Sequence, residues 1–137
     1  MTGHVRALFE RNGLTYNPNP DVVPNTRLAL RLTELARDRG LHRPFHDRVM
    51  DAYWSEARDI GDRETLGELA ANVGLDGLDD VFDGDAYLDR VLASTARAQS
   101  LGINGIPAFM LDRKLLVLGA QPRDVFERAF AQLAEQD

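Results

Sequence analysis

The 137 residues suit a single domain with a sizeable core, and 44% hydrophobic and 28% charged residues are ordinary for a soluble globular protein. A net charge of −6, with arginines scattered singly beside acids, leaves no basic footprint for nucleic acid or anionic lipid; no apolar run nears the roughly 18 residues of a membrane span, and "MTGHVRALFERNG" has no signal-peptide core, so the expectation is a cytoplasmic protein. The chain contains no cysteine, which excludes disulfides, thiolate metal sites and any thiol nucleophile of its own.

In chain order, Val5 to Asn12 forms a short helical pattern stopped by Gly13. Leu14 to Asn25 holds three prolines and reads as an extended connector, with Asn25 or Thr26 capping the next helix. Leu28, Leu32, Leu35 and Ala36 stripe a second helix that ends at Gly40. Pro44 suits the first turn of a third, where Phe45, Val49, Ala52 and Tyr53 form the main stripe, widened by Met50 and Trp54. Asp62 caps a fourth helix, with Leu66, Leu69, Ala70 and Val73 inward and Gly74 at its end. Leu78 to Asp83 makes a short helical turn or two. Gly84 or Asp85 then opens a fifth long pattern bearing Tyr87, Leu88, Val91, Leu92, Thr95 and Ala98, closed by Leu101 and Gly102.

There the period changes. Pro107 to Leu111 and Leu115 to Gly119 are apolar runs flanking Asp112-Arg113-Lys114, a β-hairpin signature. Pro122 starts a last helix with Val125, Phe126, Ala129, Phe130 and Leu133 inward. The fold class is therefore mainly α with one β-hairpin. Both strands are apolar on both faces, which belongs to a larger sheet, yet the chain offers no further strand to build one.

Few side chains suggest chemistry. The acidic run Asp76, Asp79, Asp80, Asp83, Asp85 and Asp89 lacks the spacing of a calcium loop and reads as caps and solvated surface. His42 and His46 stand four apart without a third ligand. Met50, Tyr53 and Trp54 read as core, and Ser94, Thr95 and Ser100 have no Ser-His-Asp context. No catalytic residue, cofactor or metal is expected. Gly102 to Phe109, "GINGIPAF", is the unusual stretch. On its residues alone, Pro107 is either a trans proline after a Schellman-type helix end, with Ile103 as the hydrophobic contact, or a cis X-Pro turn.

Ala96 to Leu133, "ARAQSLGINGIPAFMLDRKLLVLGAQPRDVFERAFAQL", resembles the C-terminal part of the DsbA-like thioredoxin superfamily, above all its FrnE-like branch, related to 2-hydroxychromene-2-carboxylate isomerases. "GLTY", "VPNTRLAL" and "AYWSEARDIGDRETLGELAANVGLD" look like that family's inserted helical domain. The resemblance implies a partial thioredoxin fold: residues 1–102 form the helical insertion and 103–137 the hairpin and final helix, in one compact unit. It also implies a cis Ile106–Pro107 bond, with Gly105, Ile106, Pro107 and Ala108 as the loop that receives extended peptide substrates opposite the CxxC.

The chain departs from that family where its chemistry lies. The family's strand–CxxC–helix–strand half has no counterpart among these residues, and thiol–disulfide exchange needs a thiolate. The glutathione-linked isomerase reading needs the same half. The expectation is a truncated, redox-inactive member of a protein-disulfide oxidoreductase family, or a non-catalytic peptide-binding or dimerising module derived from it. The strand after Pro107 leaves an apolar edge, which proteins seldom leave open. A homodimer through that edge or through covering helices, and a peptide or protein ligand at the Pro107 loop, are the expected partners.

Overall fold

The computed structural model describes residues 2–136, and in these the elements run α1 (Thr2–Arg11), α2 (Arg27–Asp38), α3 (His42–Trp54), α4 (Arg63–Asn72), α5 (Asp79–Phe82), α6 (Leu88–Ser100), β1 (Ala108–Leu111), β2 (Leu115–Leu118) and α7 (Arg123–Gln136). The chain divides into two compact units, one ending at Leu92 and the other beginning at Ala93, so α6 contributes to both. The mainly α fold with one two-stranded antiparallel sheet matches the sequence pattern.

The first unit is a helical cluster around α2 and α3. Ala29, Leu32, Leu35 and Ala36 bury one stripe of α2 against Phe45, Val49 and Ala52 of α3. Leu66, Leu69 and Ala70 of α4 and Val81 of α5 close the remaining sides. Phe45, Leu32, Leu66, Leu69 and Val81 are its largest fully buried side chains, each worth roughly 1.5–3 kcal/mol of burial. The ends of the helices are chemically specified. Asn25 Oδ1 accepts from Arg27 N–H at 3.0 Å, and Asp62 Oδ2 accepts from Thr65 N–H at 3.0 Å. At the end of α2, Gly40 adopts φ +73°, and Leu41 N–H reaches back to Ala36 O at 2.8 Å.

α1 attaches through aromatic rings. Phe9 meets Tyr16 edge-on at 4.9 Å and Trp54 at 5.8 Å, while Arg6 lies over the Tyr16 ring at 5.0 Å. Asn17 N–H to Trp54 O and Ser55 Oγ–H to Thr15 O fasten the connector to the end of α3. Met50, Tyr53 and Trp54, taken from sequence as core, are half-buried; Met50 and Tyr53 pack on its margin, and Trp54 belongs to this aromatic seat.

The start of α6 differs from the sequence expectation. The helix begins at Leu88 rather than at Gly84 or Asp85, and Tyr87 sits outside it at φ +66°. Arg31 causes this. Its Nε–H donates to Ala86 O at 2.9 Å and its Nη2–H to Gly84 O at 2.6 Å, so those carbonyls are bound to a side chain of α2. Arg31 is 9% exposed and bonds carbonyls, not an acid, unlike the solvated arginines the composition suggests. Tyr87 is held by its hydroxyl donating to Asp38 Oδ2 at 2.9 Å and by Arg90 over its ring at 4.9 Å. Along α6 only Val91 is buried, and Leu92 and Thr95, expected inward, are exposed.

In the second unit, β1 and β2 pair with Phe109 opposite Val117 and Leu111 opposite Leu115. α7 packs on the face of Val117, with Ala129 and Leu133 buried and Phe126 edge-on to Phe109 at 5.0 Å. Phe130 was expected inward but is 58% exposed, because two strands are too narrow to cover a helix stripe that wide. Pro122 lies just before α7, where its carbonyl accepts from Val125 N–H at 3.1 Å.

Two substitutions check this frame. Arg31→Met leaves the Gly84 and Ala86 carbonyls without their donor and is expected to cost about 2–4 kcal/mol, read as a lowered urea midpoint. Asp38 is held below the usual carboxylate range, first by its hydrogen bond from Arg90 and then by that from Tyr87. A depressed folded pKa stabilises above the unfolded value, and that contribution is lost as pH falls through the folded one. Asp38→Asn should therefore lower the Tm at neutral pH, with the difference from the parent vanishing in acid below the carboxylate range.

Candidate functional site

α6 ends in a Schellman arrangement. Gly102 takes φ +80°, its N–H bonds Gln99 O at 3.0 Å, and Ile103 N–H bonds Ala98 O at 3.0 Å. The helix stop read from the sequence is thus built as expected, with Ile103 half-buried at its end. Asn104 to Pro107 then carry the chain to β1. The Ile106–Pro107 peptide bond is cis. Gly105 and Pro107 are exposed, Ala108 is half-buried, and the Ile106 side chain is 92% exposed. The four residues therefore form one continuous stretch at the mouth of the hairpin.

Hydrogen-bond phase decides which peptide groups beside this stretch face outward. Gly119 N–H donates to Pro107 O at 2.7 Å, and the register runs from Ala108 opposite Leu118 to Leu111 opposite Leu115. Bonded pairs alternate along an antiparallel ladder, so Phe109 with Val117 and Leu111 with Leu115 are bonded pairs. The N–H and C=O groups of Ala108 and Met110 consequently point away from β2, into the open edge. Side chains alternate as well: Phe109 lies toward α7, and Ala108, Met110, Leu116 and Leu118 form the opposite face, where Met110 is 40% and Leu118 47% exposed.

The other edge is built differently. β2 and α7 border an open groove of about 520 Å³ with Val117, Val125 and Ala129 in its lining. Gln121 Nε2–H donates to Leu118 O at 2.8 Å, occupying an acceptor on that edge. The sequence reading did not single out Gln121. Its signal is local: an amide side chain three residues beyond the carbonyl it bonds.

The other chemistry-bearing residues serve the fold. His42 and His46 stack at 6.0 Å between ring centroids, with Arg37 Nη2 3.1 Å from His42 Nε2 and Asp47 3.5 Å from His46 Nδ1. Among the described residues no group of three or more His, Asp or Glu is placed to hold a metal. In the acidic run, Asp76 pairs with Arg39 and Asp83 with Arg63. Ser100 Oγ–H donates to Arg97 O in its own helix. The chain contains no cysteine, so no thiolate stands opposite Pro107 from within these residues.

The family model of the DsbA-like thioredoxin domain matches residues 1–131. This chain belongs to that family. Of solved structures, a probable DsbA oxidoreductase from Streptomyces coelicolor superposes with a TM-score of 0.86 at 34% identity, over 98% of this chain and 59% of that one. The cytosolic disulfide reductase DsbM of Pseudomonas aeruginosa, solved with GSH, gives 0.60 at 27% identity, over 82% of this chain and 61% of that one. Among curated relatives, the uncharacterized protein YwbO of Bacillus subtilis is 29% identical over 131 residues, 93% of this chain and 65% of the relative. The thiol:disulfide interchange protein DsbA of Bordetella parapertussis is 34% identical over 74 residues, 52% of this chain and 35% of that protein. The chain thus spans less than two thirds of each of these relatives.

The turn beside the site carries its own test. Asp112 and Arg113 have φ +52° and +57°, the left-handed signs of a type I′ turn, and Lys114 N–H bonds Leu111 O at 3.0 Å. Arg113→Gly should raise hairpin stability by about 0.5–1 kcal/mol, measured as a higher Tm, because glycine adopts that φ without the Cβ clash.

Proposed function

We propose that this chain is the helical-insertion and Pro107-loop portion of a FrnE-like member of the DsbA family, acting in protein thiol–disulfide exchange only together with a CxxC-bearing segment that these 137 residues do not contain. The observation that carries the reading is the hairpin: a family match across the chain, an open β1 edge and a half-exposed apolar face beside Pro107, and no cysteine. Exchange proceeds by thiolate attack on a disulfide sulfur, and no serine or water here replaces that nucleophile. The chain's own contribution is placement. Gly105, Ile106, Pro107 and Ala108 form the rim of the substrate site, and the outward amides and carbonyls of Ala108 and Met110 hold an extended peptide by strand addition.

A cytoplasmic location accords with this reading. No helix among the described residues is long and apolar enough to cross a membrane, and DsbM is described as cytosolic. A second reading, a non-catalytic module that binds peptides or pairs with itself, is favoured by the same open edge.

Insulin reduction separates the two. The chain alone should give turbidity no faster than dithiothreitol by itself. Mixed with the part of the Streptomyces relative that it does not match, it should bind that part and raise the rate above either component. Turnover by the chain alone would overturn the argument from cysteine. Failure to bind the segment would leave the non-catalytic module as the function.

A further inference from the structure

The dipeptide Asn-Gly occurs at Asn12–Gly13 and again at Asn104–Gly105, and the two copies are held differently. Its reactivity is intrinsic. The backbone nitrogen of the glycine attacks the side-chain amide carbon of the asparagine, because no Cβ on the glycine blocks the approach. Attack requires the glycine N–H to give up its proton and the amide to turn toward it. Hydrogen bonds on either group therefore oppose the reaction.

At Asn12 both groups are engaged. Asn12 Nδ2–H donates to Leu8 O at 2.7 Å, and Gly13 N–H donates to Glu10 O at 3.1 Å, in the turn that ends α1. At Asn104 neither is. Among the described residues no hydrogen bond is made by the Asn104 amide or by Gly105 N–H, and both residues are exposed between α6 and β1. Exposure does not separate the two sites, since Asn12 and Gly13 are exposed as well. The hydrogen bonds do.

We infer that Asn104 is a self-modification site of the folded chain, deamidating through a succinimide to aspartate and isoaspartate, and that Asn12 is protected. Gly105 N bonds to Asn104 Cγ, the Cγ–Nδ2 bond breaks, and ammonia leaves with the proton released from Gly105 N. One water then opens the five-membered ring at either carbonyl. The sum is side-chain amide plus water to carboxylate plus ammonium, with nothing oxidised or reduced. Both reacting groups lie in adjacent residues and the co-reactant is solvent, so the inference does not rest on the proposed function. The product changes the loop before Pro107. Ala98 to Leu111 contains no Asp, Glu, Lys, Arg or His, so the reaction sets a negative charge in a neutral stretch, and the isoaspartate form lengthens its backbone by a methylene.

Ageing the full chain at neutral pH, digesting it briefly below neutral pH and mapping the peptides by mass tests this. Asn104 should exchange its amide for a carboxylate at least about tenfold faster than Asn12. Isoelectric focusing should show a more acidic band growing in step, faster as pH rises, because the attacking nitrogen must lose its proton. In urea, where Asn12 loses its hydrogen bonds, the two rates should converge. Asn104→Gln should remove the acidic band, since the longer side chain closes its ring far more slowly. Gly105→Ala should slow the reaction at Asn104 about tenfold or more. Its added Cβ meets nothing within 4 Å, so the fold is kept. A folded chain that gains no acidic form on prolonged ageing overturns the inference, as does reaction at Asn12 as fast as at Asn104.

Discussion

A β-strand cannot leave its outward peptide groups and both its faces uncovered without cost, and that constraint organises this molecule. Ala108 and Met110 aim two amides and two carbonyls away from the hairpin, and Met110, Leu116 and Leu118 share a half-exposed face. α7 covers only the side of Phe109 and Val117. In the second unit Val117, Ala129 and Leu133 are the buried apolar residues, whereas the first unit encloses a core from Ala29 to Val81. The hairpin is therefore less covered by these residues than the helical cluster is.

The helical cluster has a self-sufficient logic. Its helices bury continuous stripes, their ends are capped by Asn25, Asp62 and left-handed glycines, and its buried guanidinium is satisfied by carbonyls. Arg31 matters most in this last respect. A buried cation without a carboxylate is tolerated only where fixed dipoles replace water, and Gly84 and Ala86 supply them. That bond pair sets the approach to α6 and fixes Tyr87 in a backbone region rarely used by an aromatic residue. Asp38, Tyr87 and Arg90 complete the anchor on the surface.

Local chemistry made much of this legible. Gly102 and Ile103 specify the end of α6 because a left-handed glycine followed by an apolar residue is a short-range device. The apolar runs around Asp112 to Lys114 specify the hairpin for the same reason, although each strand is one residue shorter than its run. The readings that failed depend on distant partners. Leu92, Thr95 and Phe130 lie on helical stripes with the right period, but period tells which face is apolar and not whether anything covers it. The start of α6 was misplaced because Arg31, more than fifty residues away in sequence, takes the carbonyls involved.

The sequence by itself determined the helical class, the single hairpin, the glycine stops, the family resemblance and the absence of a thiolate, since each is a matter of local conformational preference or residue identity. Only the tertiary structure decided which β1 peptide groups face outward, that Gln121 takes the Leu118 carbonyl on the opposite edge, and that Arg31 and Tyr87 fix the beginning of α6. Those depend on hydrogen-bond phase and on contacts between residues remote in the chain, and no local pattern carries that information.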